Sequence, residues 1–247
     1  MEKKEWFASW FDTSYYHTLY KKRDDDEAKL FITNLVQILN LDAGSKVLDL
    51  ACGKGRHSVT LNELGFDVLG VDLSPNSILE ANKNSNTGLH FDVHDMRKII
   101  PNVSFKAIFN LFTSFGYFDE LSDNTKMVES VFKMLETNGL FIIDFMNVQK
   151  VISKLVEKEE KIIDGIHFKI ERRYNGTHIF KEIRFNDNGE DFHFTERVQA
   201  LKRDDFDSLL TSNGFEILTT FGNLDLNSFD EETSDRLIII AKKVNER

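Results

Sequence analysis

Between residues 44 and 146 five apolar runs recur: GSKVLDLA, GFDVLGVDLS, LHFDVHDM, FKAIFNLFTSF and LFIIDFM. Helical patterns fall between most of them, at 55–64, from Pro75 onward and at 124–139. Runs that are mostly apolar on both faces belong to strands buried inside a domain. A strand regained through a helix lies parallel to the one before it, so this stretch predicts an α/β, doubly wound, mostly parallel sheet. The runs FEILTTFGN and RLIIIAKK near the end lack room for a crossover helix. They should pair antiparallel, giving a seven-stranded, Rossmann-like sheet with a reversed last strand.

The rhythm changes after residue 147. A helix-like VQKVISKLVEK leads into a segment alternating with period two, broken by Asn175-Gly176 and Asn188-Gly189. Both dipeptides favour tight hairpin turns. The expectation is a small, three-stranded antiparallel β insertion after strand five. The chain then divides into an N-terminal helical lid (1–40), a nucleotide-binding core (41–150), the insertion (151–201) and the last part of the core (202–247).

Charge and composition narrow the function. The 247 residues carry 31 Lys and Arg against 41 Asp and Glu, a net charge of −10 that repels a nucleic-acid backbone on average. No apolar run approaches the roughly 20 residues that span a bilayer. MEKKEWFASWF has no apolar core of a signal peptide, so the cytoplasm is expected. The single cysteine, Cys52, excludes internal disulfides and cysteine–zinc clusters, and no His, Asp and Glu spacing predicts a metal site.

The chemistry centres on VLDLACGKGRHS, residues 47–58. Glycines at 53 and 55 between a strand and a helix let a ligand approach the backbone closely. About 20 residues further on, Asp72 follows the second strand, a spacing suited to accepting hydrogen bonds from ribose hydroxyls. The ligand so predicted contains adenosine. A nicotinamide dinucleotide prefers a third glycine where Ser58 stands. That leaves an NAD-dependent oxidoreductase as an alternative, beside a non-catalytic adenosine-binding module.

The run D-x-x-C-G-x-G resembles the first motif of class I S-adenosylmethionine (SAM)-dependent methyltransferases, and the likeness extends in order over about 45–145. It implies SAM as cofactor, with Asp72 and the adjacent Leu73 at the ribose. The HDMR segment would place Asp95 on the adenine amino group with the Met96 N–H beside it. Leu111, in NLFTSFGYF, would approach the methionine part, as would Ala51, Cys52 and Gly53, with Gly55 opening the helix. Ala51 stands where the family usually has glycine. Similar small-molecule methyltransferases close the site with an N-terminal helix, so Tyr15, Tyr16 and Tyr20 would line a lid, with Asp12 or Thr13 as its helix cap and Arg23 pairing the cofactor carboxylate. Methyl transfer requires alignment more than a dedicated catalytic group, and His17 and Tyr117 are the weak candidates for a proton acceptor. No proline follows the fourth strand, unlike enzymes that methylate planar amino groups. The stretch FTSFGYF is more similar to glycine and sugar N-methyltransferases. The resemblance implies a small-molecule acceptor methylated on nitrogen or oxygen, with the insertion shaping the pocket or joining two copies. Arg172, Arg173 and Arg197 on the insertion are candidates to meet an acidic acceptor, or outward-facing solvated residues.

Overall fold

A computed structural model describes residues 5–21 and 25–244. Strands β1 (Lys46–Leu50), β2 (Asp67–Asp72), β3 (Leu89–Val93), β4 (Phe105–Asn110) and β5 (Leu135–Met146) are parallel neighbours in the order β5-β4-β1-β2-β3. Chain order reverses at β1 and β4, and the loops leaving those two strands diverge to open a crevice at their carboxyl ends.

Helices cover both faces. On one, α3 (Asp25–Leu39) buries Phe31 and Ile32 and, one turn on, Leu35, beside α4 (Arg56–Glu63). On the other, α6 (Leu121–Met134) buries Met127, Val128, Val131 and Met134. Each such side chain removed from water contributes about 1.5–3 kcal/mol, which outweighs the weak propensity of short helices. α5 (Pro75–Ala81) begins where Ser74 Oγ accepts from the Ser77 amide at 3.0 Å and proline takes the first helical position.

Strands β10 (Phe215–Phe221) and β11 (Arg236–Lys243) complete the seven-stranded sheet, and β11 runs antiparallel to both β5 and β10. This is the reversed strand expected from the short connection. α8 (Arg203–Ser212) precedes them, packing Phe206 and Leu210 into the core that α6 covers.

The insertion holds four strands, not three. β6 (Lys158–Ile163), β7 (Ile166–Tyr174), β8 (His178–Asp187) and β9 (Glu190–Gln199) form an antiparallel meander. The missing turn was Asp164-Gly165, whose φ of 51° and 83° suits a two-residue hairpin. The helix-like pattern of 148–158 accordingly yields only α7 (Val148–Ser153), and Lys158 already belongs to a strand. One face of the meander is apolar, with Phe168, Ile170, Ile183 and Phe185 buried. It packs against the N-terminal segment, α1 (Trp6–Trp10) and α2 (Ser14–Leu19), through Trp10 and Leu19. The aromatic N-terminus is therefore held between the two sheets, above the crevice.

Candidate active site

A cavity of about 400 Å³ occupies the crevice. The loops after β1, β2, β3 and β4 form its floor, and α1 and α2 form its roof. Ala51, Cys52, Gly53, Asp72, Leu73, Asp95, Met96 and Leu111 all line it, although they come from four separate parts of the chain. Tyr16, His17, Tyr20 and Tyr117 line it as well. Arg23 lies outside the described residues.

The bare turn is left-handed three times over, at Ala51 (φ 65°), Gly53 (φ 57°) and Gly55 (φ 81°). The two glycines serve different ends. A Cβ built on Gly53 would meet nothing within 4 Å, so its absence keeps the cavity open against the backbone. A Cβ on Gly55 would sit 2.6 Å from the Phe91 ring, and Gly55 does not line the cavity. Gly55 starts α4 and lets that helix close on the sheet. Ala51 adopts with a side chain the conformation that glycine takes freely, at about 1–2 kcal/mol of strain.

The acid in that first motif, Asp49, lies beneath the turn rather than in the cavity. It is 1 % exposed, and Ser58 donates to it at 2.5 Å. Burial, with the Asp72 charge nearby, pushes its carboxyl up to about 6 against the opposing Ser58 hydrogen bonds. Asp72 faces the cavity and joins two loops. Its Oδ2 accepts from the Gly53 amide at 2.9 Å and its Oδ1 from the Ser74 amide at 2.8 Å. Burial raises Asp72 also, and the backbone amides offset only part of that.

Asp95 is steered by Arg97, whose Nε and Nη2 donate to it at 3.0 and 2.8 Å. Burial pushes the Asp95 carboxyl up, but the Arg97 hydrogen bonds prevail and hold it below the usual carboxylate range. Ser130 Oγ donates to the Met96 carbonyl at 2.7 Å, fixing the adjoining backbone.

After β4, Phe112 (φ 69°) and Thr113 (φ 60°) are consecutive left-handed residues at the cavity wall. Asp144, near the carboxyl end of β5, holds them. Its Oδ2 accepts from the Phe112 amide at 3.0 Å and its carbonyl from the Thr113 amide at 3.1 Å. Arg236 in turn forks onto both Asp144 oxygens at 2.7 Å. Sequence reasoning missed this pair. The available signal was an acid inside the apolar run LFIIDFM, since a buried carboxylate requires a partner.

Thr13, not Asp12, caps α2, accepting from the Tyr16 amide at 3.1 Å. Asp12 instead accepts from Ser74 Oγ at 2.6 Å and the Asn76 amide at 3.1 Å, docking the roof on the start of α5. Tyr20 donates to both Glu196 oxygens, at 2.7 and 2.8 Å, and Trp10 Nε1 donates to Oε1 at 2.8 Å. Burial and the Glu196 charge push the Tyr20 hydroxyl well above its ordinary range. Tyr15 faces away from the cavity, donating to Asp187 at 2.9 Å between Phe185 and Phe192. Arg172 pairs Glu159 at 2.6 Å, Arg173 stacks on Phe180 and Arg197 pairs Asp119; none of the three lines the cavity.

This is a cavity suited to SAM. The chain's open turn at Gly53, the carboxylate of Asp72 and the Asp95-Met96 pair meet along one wall, while the roof is aromatic. Among known proteins, residues 41–214 match the methyltransferase domain family. A glycine/sarcosine N-methyltransferase of Aphanothece halophytica is 27% identical over 235 residues, covering 90% of this chain and 83% of that protein. A SAM-dependent methyltransferase of Clostridium acetobutylicum has the same fold, with a TM-score of 0.79 at 22% identity over 94% of this chain and 96% of that one. The SAM-bound amino pentose methyltransferase CalS10 of Micromonospora echinaspora superimposes with a TM-score of 0.71 at 17% identity over 94% and 98%. With this match over most of its length, the chain belongs to the methyltransferase domain family and is a SAM-dependent methyltransferase of class I.

Proposed function

We propose that the chain methylates a small molecule on a nitrogen, with an oxygen acceptor as the second reading. The observation that carries this is the roofed cavity: its roof brings Tyr16, His17 and Tyr20 over the wall that bears Gly53 and Asp72. The similarity to glycine/sarcosine N-methyltransferases over nine-tenths of the chain supports a small amine.

Bound there, SAM supplies a methyl group on a positively charged sulfur. Asp72 would take the ribose hydroxyls, and Asp95 with the Met96 amide would take the adenine. Ala51, Cys52, Gly53 and Leu111 would bound the amino-acid end, with Arg23 on its carboxylate. Tyr16, Tyr20 and Tyr117 line the cavity and would help to shield the reacting groups from water. Holding the acceptor in line supplies up to about 7–11 kcal/mol of the barrier. An ammonium acceptor must first lose a proton, and His17 or Tyr117 would take it.

The same reading keeps residues 1–40 as the lid segment, with α1 and α2 as its roof and α3 packed on the sheet; 41–150 is the SAM-binding core, 151–201 the β insertion and 202–247 the rest of the core. It places the protein in the cytoplasm, away from membranes and nucleic acid. No described helix is long and apolar enough to cross a membrane. A homodimer through the insertion would have to join its outward faces, where His167, Lys169, Glu171 and Arg184 are exposed. The test is transfer of labelled methyl from SAM across a panel of small amines and alcohols. Turnover confined to amines supports the proposal, and turnover confined to nucleic acid or protein overturns it.

A further inference from the structure

Arg97 ends the HDMR motif, and steering Asp95 occupies only part of its guanidinium. Its guanidinium, stacked 4.8 Å above the Phe118 ring, holds three carboxylates from three parts of the chain. Nη1 donates to Glu5 Oε1 and Nη2 to Oε2, both at 2.9 Å, and Glu5 is the residue immediately before α1. Nε and Nη2 grip Asp95, and Nη1 reaches Asp123 in the first turn of α6 at 3.0 Å. The side chains involved are only 14–30% exposed, so these are not water-screened surface pairs. Lys126 adds a second cation, on Asp123 alone.

The arrangement has a physical consequence. Glu5 and Asp95 are like charges bonded to one nitrogen, Nη2, and they approach each other only because that nitrogen lies between them. Glu5 belongs to the roof and Asp95 to the floor. We infer that Arg97 is a positioning residue that couples adenine binding at Asp95 to closure of residues 5–20 over the cavity. The inference rests on the cavity being the SAM site. A lysine cannot replace Arg97, because a point charge lacks the planar fork that engages two carboxylates at once. The roof has other anchors, at Asp12 and at Glu196, so loss of the Glu5 arm loosens one end without unfolding the segment.

Binding of S-adenosylhomocysteine (SAH) by the full chain tests this, measured by calorimetry and stopped flow for E5Q, R97K and the double variant. E5Q should weaken binding at least about fivefold, mainly through faster dissociation. In the R97K background E5Q should have no further effect. If R97K does not fold, D95N replaces it in the cycle, with the same expectation. Amide exchange of residues 5–20 should slow when SAH binds the parent, and slow less in E5Q. Parent-like dissociation from E5Q, or an equal loss in both backgrounds, overturns the coupling. A parent chain that binds no SAH overturns the SAM reading itself, and the coupling with it.

Discussion

Arg236 and Asp144 lie diagonally across neighbouring antiparallel strands, two positions out of register, with both carboxylate oxygens held by one guanidinium at 2.7 Å. The carboxylate side chain is fully buried, while Arg236 reaches water at its edge. Asp144 spends its remaining capacity on the Phe112 amide, at the cavity wall. The pair thus turns sheet pairing into a fixed, strained loop at the cavity wall. Backbone strain of this kind persists only where the surroundings over-determine it.

Removing Arg236 leaves a buried charge without its partner. R236A should cost about 3–5 kcal/mol of stability, read from urea unfolding. D144N should cost less, because an amide oxygen still accepts from Phe112. Equal and small losses in both would show the pair to be incidental.

The two glycines of the turn should separate by readout. G55A forces a methyl into the Phe91 ring at a left-handed backbone, so it should lower stability by roughly 1–3 kcal/mol. G53A meets no protein atom, so beyond the backbone strain common to both its effect should appear as lost SAH affinity. The account fails if G53A binds SAH as the parent does.

Asp49 predicts a pH dependence. Its carboxyl is raised from 3.8 to about 6 in the folded chain, so the folded state binds more protons than the unfolded state between those values. Stability therefore falls as pH rises through that window, by up to roughly 3 kcal/mol, and the cost is fully present above it. Asp72 is shifted in the same direction and adds to the fall. D49N keeps an oxygen for Ser58 and carries no charge. Its stability should decline less than the parent's between about pH 4 and 7. Parallel pH profiles would rule out Asp49 as the source.

The sheet was readable because its evidence is local. Each apolar run marks a strand, Gly53 and Gly65 mark turns, and the short step from Phe221 to Arg236 allows only an antiparallel return. The floor of the cavity was readable for the same reason, since Gly53, Asp72 and Asp95 each stand at or just past the carboxyl end of a strand. What stayed hidden depends on distant partners. Arg97 lies 92 residues from Glu5, and Arg236 lies 92 from Asp144. Asp12 obeyed the local rule for a helix cap but found Ser74 instead, 62 residues away. β6 was lost because LVEK continues a helical pattern, and only the Asp164-Gly165 turn reveals the strand on its far side.

Asp72, anchored by the Gly53 and Ser74 amides, is the proposed grip on the ribose of SAM. Calorimetry of SAH against the parent and D72A measures it most directly. The parent should bind SAH, and D72A should bind it at least about tenfold more weakly, equivalent to about 1.4 kcal/mol. Equal affinity in the two proteins, with D72A folded, would contradict it.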